Sequence, residues 1–322
     1  MDTNLRGDDP RRWGHSLANL AELLIAVLDA AEARSVLEIG AYAGELTRDV
    51  LDWAARAGAR VVAVDPTPQA ELVELSERVD ELELIPKTSA EALPSLAMPD
   101  AVIIDGDHNY YTVSQELGRI DERSAGAKLP LLVLHDVCWP HGRRDGYDAP
   151  ERVPDAHRQP MAEDAGLFPG EPGTVFGGLP CRWAAEREGG PANGVLTAIE
   201  DFVRGRSHLR LAIVPAFFGM AIAWHEDAPW ASAVAEVVEP FDRNPVLGRL
   251  EANRVFHLAA EHVRNAELNR LRERNAWHEH LLRGMLSSRR FTIADRLAWR
   301  RGRERSWREQ VRQALDEGEG SG

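Results

Sequence analysis

Cysteine is scarce in this sequence. Cys138 and Cys181 are the only two in 322 residues, too few for a disulfide framework or a thiolate zinc site, so a reducing compartment is expected. Long apolar runs are missing as well. No segment reaches the roughly 18 apolar residues of a membrane span, and the opening MDTNLRGDDPRRWGHS lacks the apolar core of a signal peptide. The expectation is a cytoplasmic protein with no membrane span. Positive charge is in deficit, with 38 Lys and Arg against 52 Asp and Glu and a formal net charge of -14. That balance excludes nucleic acid as the expected main partner, because polyanion binders carry a basic field. What is present, 44% hydrophobic and 28% charged residues, suits a globular protein able to bury a core. The partner it favours is a small molecule.

Periodicity then gives the organisation. After Ser16, a plausible cap, Leu20, Leu23, Leu24 and Val27 recur at helical spacing, which predicts a leading helix up to Ala33. Short apolar runs alternate with helical patterns from there on: SVLEIG, a helix over Glu45 to Ala57, RVVAVD, a helix over Glu71 to Arg78, LELIP, a short SAEAL turn, DAVIID, TVSQELGRI and LPLLVLHD. Strand then helix, repeated, predicts parallel strands covered on both faces, an α/β doubly wound domain. Further on, LRLAIVP, the turn AFFG and MAIAWHE are close enough to pair as an antiparallel hairpin. Residues 139–192 are rich in Pro, Gly and Arg and too long for an idle loop, so they are expected to form a lid or substrate-recognition insertion. The domain is taken as residues 1–245. Residues 246–318 are helical and highly charged, with an irregular apolar stripe including Leu250, Phe256, Leu268, Leu281 and Met285. This segment is expected to be a helical appendage supporting a homodimer, with an unstructured tail from Asp316.

The chemistry-bearing stretch is SVLEIGAYAGELT, Ser35 to Thr47. A dinucleotide fingerprint needs G-x-G-x-x-G, and counting from Gly40 this chain has Tyr42 and Glu45 where the later glycines belong, which disfavours NAD or FAD. The pattern that fits is E-x-G-x-x-x-G, with Gly40 and Gly44 allowing close backbone approach. A second strand, VVAVDP, ends in Asp65, able to accept both hydroxyls of a ribose. Taken alone the loop reads equally as a tight turn, and Asp65 as a helix cap ahead of Pro66. At the ends of the fourth and fifth strands, IDGDHNY and LHDVCWPHGRRD bring Asp105, Asp107, His108, His135 and Asp136 towards one mouth of the sheet. Two carboxylates and an imidazole suit a divalent ion such as Mg²⁺ or Mn²⁺. Without metal, Asp107, His108 or His135 could serve as general base. Arg143, Arg144 and Asp145 could grip an acidic or polyhydroxylated substrate or form an ion-pair knot, and Trp139, His141 and Tyr147 add stacking or hydrogen-bonding groups.

These motifs, in this order, resemble the class I S-adenosylmethionine-dependent methyltransferases over about residues 30 to 225: LEIGAYAGE, VVAVDP, TSAEALP and DAVIIDGDHNYYTV. The resemblance implies a Rossmann-like seven-stranded sheet whose last strand is antiparallel. It also implies S-adenosylmethionine as cofactor. Glu38 would be at the methionine end, Gly40, Ala41, Tyr42 and Gly44 in the loop, Asp65 on the ribose, Thr88, Ser89 and Ala90 against adenine, and Asp105 in the same pocket. More narrowly, the IDGDH and HD pair resembles small-molecule O-methyltransferases similar to the macrocin and novobiocin-sugar enzymes. That resemblance implies Asp105 and Asp136 as metal ligands and Asp107 as base. Relatives usually carry two acids at the fifth-strand end, and here His135 precedes Asp136, so the metal set becomes Asp105, His135 and Asp136. The implied activity is O-methylation of a sugar or natural-product hydroxyl. N- or carboxyl-methylation of a peptide or small molecule, and a non-catalytic nucleotide-fold scaffold, are the competing readings.

Overall fold

The computed structural model describes residues 14–124, 129–299 and 306–319. Its sheet has seven strands in the order β3-β2-β1-β4-β5-β9-β8. They are β1 (Ser35–Ile39), β2 (Arg60–Val64), β3 (Leu82–Ile85), β4 (Ala101–Ile104), β5 (Leu131–His135), β8 (Leu209–Val214) and β9 (Met220–His225). The first five pair in parallel, while β9 runs antiparallel to both β5 and β8. The fold class is therefore the α/β doubly wound sheet that the alternating pattern predicts.

Why these runs are strands follows from their burial. In β4, Ala101 and Ile103 face one core and Val102 and Ile104 the other; in β5, Leu131 and Val133 oppose Leu132 and Leu134. Both faces are covered, so the runs are apolar throughout rather than alternating with polar residues. One face packs against α1 (Ala21–Ala30), α2 (Glu45–Ala57) and α7 (Ala231–Val238), the other against α5 (Tyr110–Arg123) and α6 (Val195–Val203). Each fully buried Leu or Val contributes about 1.5–3 kcal/mol to that packing. Local signals set the helix ends. Gly44 (φ 74°) precedes α2 and Gly58 (φ 65°) closes it, and the Asn109 side chain accepts from the Thr112 N–H to start α5.

The leading helix begins differently from its prediction. Ser16 caps a single 3-10 turn, Leu17–Leu20, and α1 proper starts at Ala21. The remaining short elements are α3 (Ala70–Arg78) and α4 (Ser89–Ala92). The insertion is not a bare loop, since β6 (Met161–Leu167) and β7 (Leu179–Ala185) pair antiparallel within it.

The compact units divide between Ala260 and Glu261. Helix α8 (Pro245–Ser287) opens with the Asn244 side chain accepting the Val246 and Leu247 N–H groups, and its first turns belong to the first unit. In the second unit, α9 (Arg289–Trp299) and α10 (Trp307–Glu319) are joined through Asp295, whose carboxylate accepts the Ser306 hydroxyl and the Trp307 N–H. Helix α10 continues past Asp316, where the sequence predicts an unstructured tail; residues 320–322 lie outside the described residues. Among the described residues no helix is long and apolar enough to cross a membrane.

Candidate active site

The strand order reverses between β1 and β4, since the chain lays β2 and β3 on one side of β1 and β4 and β5 on the other. At such a point the loops after two neighbouring strands diverge and leave a crevice at the carboxyl ends. Gly40 follows β1 with φ 90°, and a Cβ there would lie 2.1 Å from the Asp105 carbonyl oxygen after β4. Only glycine lets these two loops touch.

Around that contact the loop is braced by Asp65 at the end of β2. Its Oδ2 accepts the Tyr42 N–H at 2.8 Å and its Oδ1 accepts the Thr67 N–H at 2.8 Å. Tyr42 stands in the left-handed region (φ 44°) and is 62% exposed. Glu38 is buried within β1, where burial pushes its carboxyl up to about 7 against a hydrogen bond from the Thr47 hydroxyl at 2.8 Å. After β3, Thr88 caps α4 in a mutual pair with Glu91. Ser89 reaches back to Glu116 of α5, whose carboxyl burial raises to about 7.

Across the crevice, β4 and β5 deliver a compact group of acids and imidazoles. The His135 Nδ1 lies 3.0 Å from Asp105 Oδ1 and 3.3 Å from Asp136 Oδ2, and His108 Nε2 lies 2.9 Å from Asp136 Oδ2. Asp136 takes a left-handed φ of 56°, which an aspartate tolerates better than a bulky residue does. Burial opposes charge on both imidazoles, but the Asp136 and Asp105 carboxylates outweigh it and hold His108 and His135 protonated well above the usual histidine range. The same pairing, against burial, keeps Asp136 well below the usual carboxylate range and Asp105 below it. His135 Nε2 lies 2.8 Å from the Phe217 carbonyl oxygen, which can only accept, so that nitrogen carries a proton and Nδ1 is the atom turned to the carboxylates. Ligand atoms of Asp105, His135 and Asp136 all lie within 4.8 Å of one another. Asp136 Oδ1 is buried with no hydrogen-bond partner among the described residues. Asp107, beside them, accepts the Asp148 N–H and the Thr112 hydroxyl at 3.2 Å each, and burial raises its carboxyl.

The insertion residues divide into two sets. His141 stacks on His108 with ring centroids 5.1 Å apart, and burial next to His108 lowers it to about 4, so it stays neutral. Trp139 tilts against Phe218 at 6.4 Å. Arg143 is committed to Glu200 at 2.7 Å and to the Thr197 hydroxyl. Arg144 and Tyr147 are both buried. Arg144 is fully buried and donates to the carbonyls of Ala185 and Pro172, and Tyr147 donates to Asp145 Oδ2 while accepting the Gln159 N–H. In the HGRRD run, Arg143 thus faces an acid and a hydroxyl, Arg144 donates to backbone carbonyls, and Asp145 accepts backbone N–H groups and the Tyr147 hydroxyl. Two participants carry no sequence signal. The Phe217 oxygen is a backbone group, and His15, which burial lowers against the pull of Asp136, is far away in the chain.

Among curated proteins no relative matches. Solved structures that resemble the chain include the SAH-bound methyltransferase PaMTH1 of Podospora anserina, 14% identical over 70% of this chain and 85% of that one, with a TM-score of 0.41. A second is the 1,6-didemethyltoxoflavin-N1-methyltransferase of Burkholderia thailandensis, 16% identical over 65% of this chain and 77% of that one, with a TM-score of 0.37. Residues 37–137, which run from β1 to just beyond β5 and hold both halves of the crevice, match the family model described as a methyltransferase domain.

Proposed function

We propose that this protein is an S-adenosylmethionine-dependent O-methyltransferase acting on a hydroxyl of a sugar or natural-product small molecule, assisted by a divalent ion. The observation that carries the reading is the meeting of the glycine loop with Asp105 at the sheet's reversal, next to the Asp105–His135–Asp136 cluster. Methyl transfer depends on placing an acceptor lone pair in line with the methyl group, and one crevice holding both groups supplies that placement.

Each residue has a part. Asp65 spends one lone pair of each oxygen on a backbone N–H, and a carboxylate has about four such sites, which leaves two for ribose hydroxyls. Glu38 and the Gly40–Gly44 loop take the methionine end, and Thr88, Ser89 and Ala90 line the adenine side. Asp105, Asp136 and the Nδ1 of His135 would hold the ion. The residues fit one, because Asp136 Oδ1 is buried without a partner among the described residues and the Phe217 carbonyl keeps the proton on Nε2, so that Nδ1 is the nitrogen whose proton the ion would displace. A mixed set of one nitrogen and two oxygens suits Mn²⁺ better than Mg²⁺. When bound, such an ion lowers the pKa of an acceptor hydroxyl. Asp107 is the proposed base, since its raised carboxyl binds protons more readily than an ordinary aspartate. His108, kept protonated by two carboxylates, has no lone pair to offer as the side chains stand. His141 and Trp139 face the acceptor. The helices beyond Ala260 are the proposed homodimer surface.

Calorimetry with S-adenosylhomocysteine tests the first half. Binding by the intact chain, weakened by Asp65→Ala by roughly 1.5–3 kcal/mol, is expected; absence of binding, or preference for NAD, rejects the assignment. For the second half, methyl transfer to a panel of sugar and natural-product hydroxyls is measured after exhaustive chelation and again after Mn²⁺ is restored. Full activity in the chelated protein rejects the ion.

A further inference from the structure

The turn between β8 and β9 places three consecutive residues in the left-handed region, Phe217 (φ 50°), Phe218 (φ 66°) and Gly219 (φ 89°). Glycine adopts this conformation freely, but two bulky aromatic residues do so only when their surroundings impose it. Here the imposing group comes from α8. Glu251, buried there, accepts the Phe218 N–H at 2.8 Å and is itself gripped by Arg254 through two hydrogen bonds of 2.7 Å. The same guanidinium lies over the Phe218 ring at 4.7 Å and the Phe217 ring at 5.5 Å, and donates to the Gly14 carbonyl. The outcome of the strained turn is the Phe217 carbonyl at 2.8 Å from His135 Nε2.

We infer that Glu251 and Arg254 are positioning residues for His135: they hold a strained turn whose Phe217 carbonyl orients the imbedded imidazole towards Asp105 and Asp136. The inference rests on the reading of those three side chains as a divalent-ion site, and it adds α8, outside the matched methyltransferase domain, to the apparatus of that site. Backbone and carboxylate partners of a ligating histidine fix its orientation and basicity, and their loss typically weakens metal binding by about 10- to 100-fold.

The test uses the full chain and two readouts. The first is exchange of the His135 Nε2–H, followed in ¹⁵N-histidine spectra; the second is Mn²⁺ affinity by calorimetry. Glu251→Ala should speed the exchange and weaken Mn²⁺ binding by about 10- to 100-fold while S-adenosylhomocysteine binding persists. Adding Phe217→Gly, which removes the strain at that residue, should restore part of both losses. Arg254→Lys, which keeps the charge but not the fork, gives the same comparison in a milder form should Glu251→Ala not fold. Exchange and Mn²⁺ affinity within twofold of the parent in these variants, or no recovery with Phe217→Gly, would overturn the inference. A parent protein that binds no Mn²⁺, yet shows the exchange effect and its rescue, overturns the ion reading and leaves the positioning role standing.

Discussion

A carboxylate with no exposed surface must fill its oxygens with donors, and Asp145 does so with the Tyr110 and Gly194 N–H groups and the Tyr147 hydroxyl. It thereby ties the insertion to the first residues of α5 and α6. Asp145→Ala leaves two backbone donors buried, so a loss of about 3 kcal/mol in urea unfolding is expected, with Asp145→Asn in between; a loss under about 1 kcal/mol would show that the tie is not needed. Glu116 gives a pH signature instead. Burial raises its carboxyl from 4.5 to about 7, so the folded state holds a proton that the unfolded chain releases first. Stability should fall as pH rises from the unfolded value through about 7 and then level off, Glu38 acting in the same sense. Glu116→Gln should flatten part of that slope and stabilise the protein more at pH 8 than at pH 5; equal gains at both values would contradict the assignment. At this scale the sequence reveals side chains that sit in motifs, such as Gly40, Asp65, Asp105 and Asp136. It does not tell where Arg144 lies, because two of that guanidinium's nitrogens donate to carbonyls that no sequence pattern marks.

Elements meet where loops touch, and the contact between the β1 and β4 loops is the tightest such meeting at the crevice. Gly40→Ala drives a Cβ into the Asp105 backbone, which cannot yield as a flexible side chain would. A stability loss of at least about 2 kcal/mol and S-adenosylhomocysteine binding weakened by more than tenfold are expected by unfolding and calorimetry. Gly58→Ala is the control, because it also has positive φ but meets nothing within 4 Å. It should cost about 1 kcal/mol of left-handed strain and leave binding intact. Equal effects of the two on binding would refute the role given to the loop contact. The strands were legible as elements because burial on both faces leaves unbroken apolar runs such as LLVL and AVII. The β6–β7 hairpin was not, since EDAG sets two exposed positions before two buried ones, and LPCR alternates only between exposed and half-buried positions with a proline and an arginine on its exposed side.

For the molecule as a whole, α8 leaves large apolar side chains in water: Trp277 is 59% exposed and Leu268 48%, with Leu281 and Met285 similar. Isolated, such residues are ordinary, but a run of them along one helix is the kind of surface that association covers. The homodimer proposed on this basis also brings together two chains of net charge -14, so it should strengthen as salt screens their repulsion. Light scattering should show twice the monomer mass at high salt and the monomer for Leu281→Glu. A parent chain that stays monomeric at high concentration in high salt rules the dimer out.

The place of β9 in the sheet also governs time. It lies between β5 and β8, yet only a short turn joins it to β8, whereas the whole insertion and α6 separate it from β5. Closing the longer loop costs more chain entropy, so the β8–β9 hairpin forms first and docks on β5 as a unit. In that order His135 meets the Phe217 carbonyl only at the docking step, whereas the glycine loop needs the β1–β4 pairing and does not wait for β9. Refolding followed by stopped flow should therefore recover S-adenosylhomocysteine binding before Mn²⁺ binding, and simultaneous recovery would show that the sheet closes in one step. The two halves of one crevice would then have different birth times.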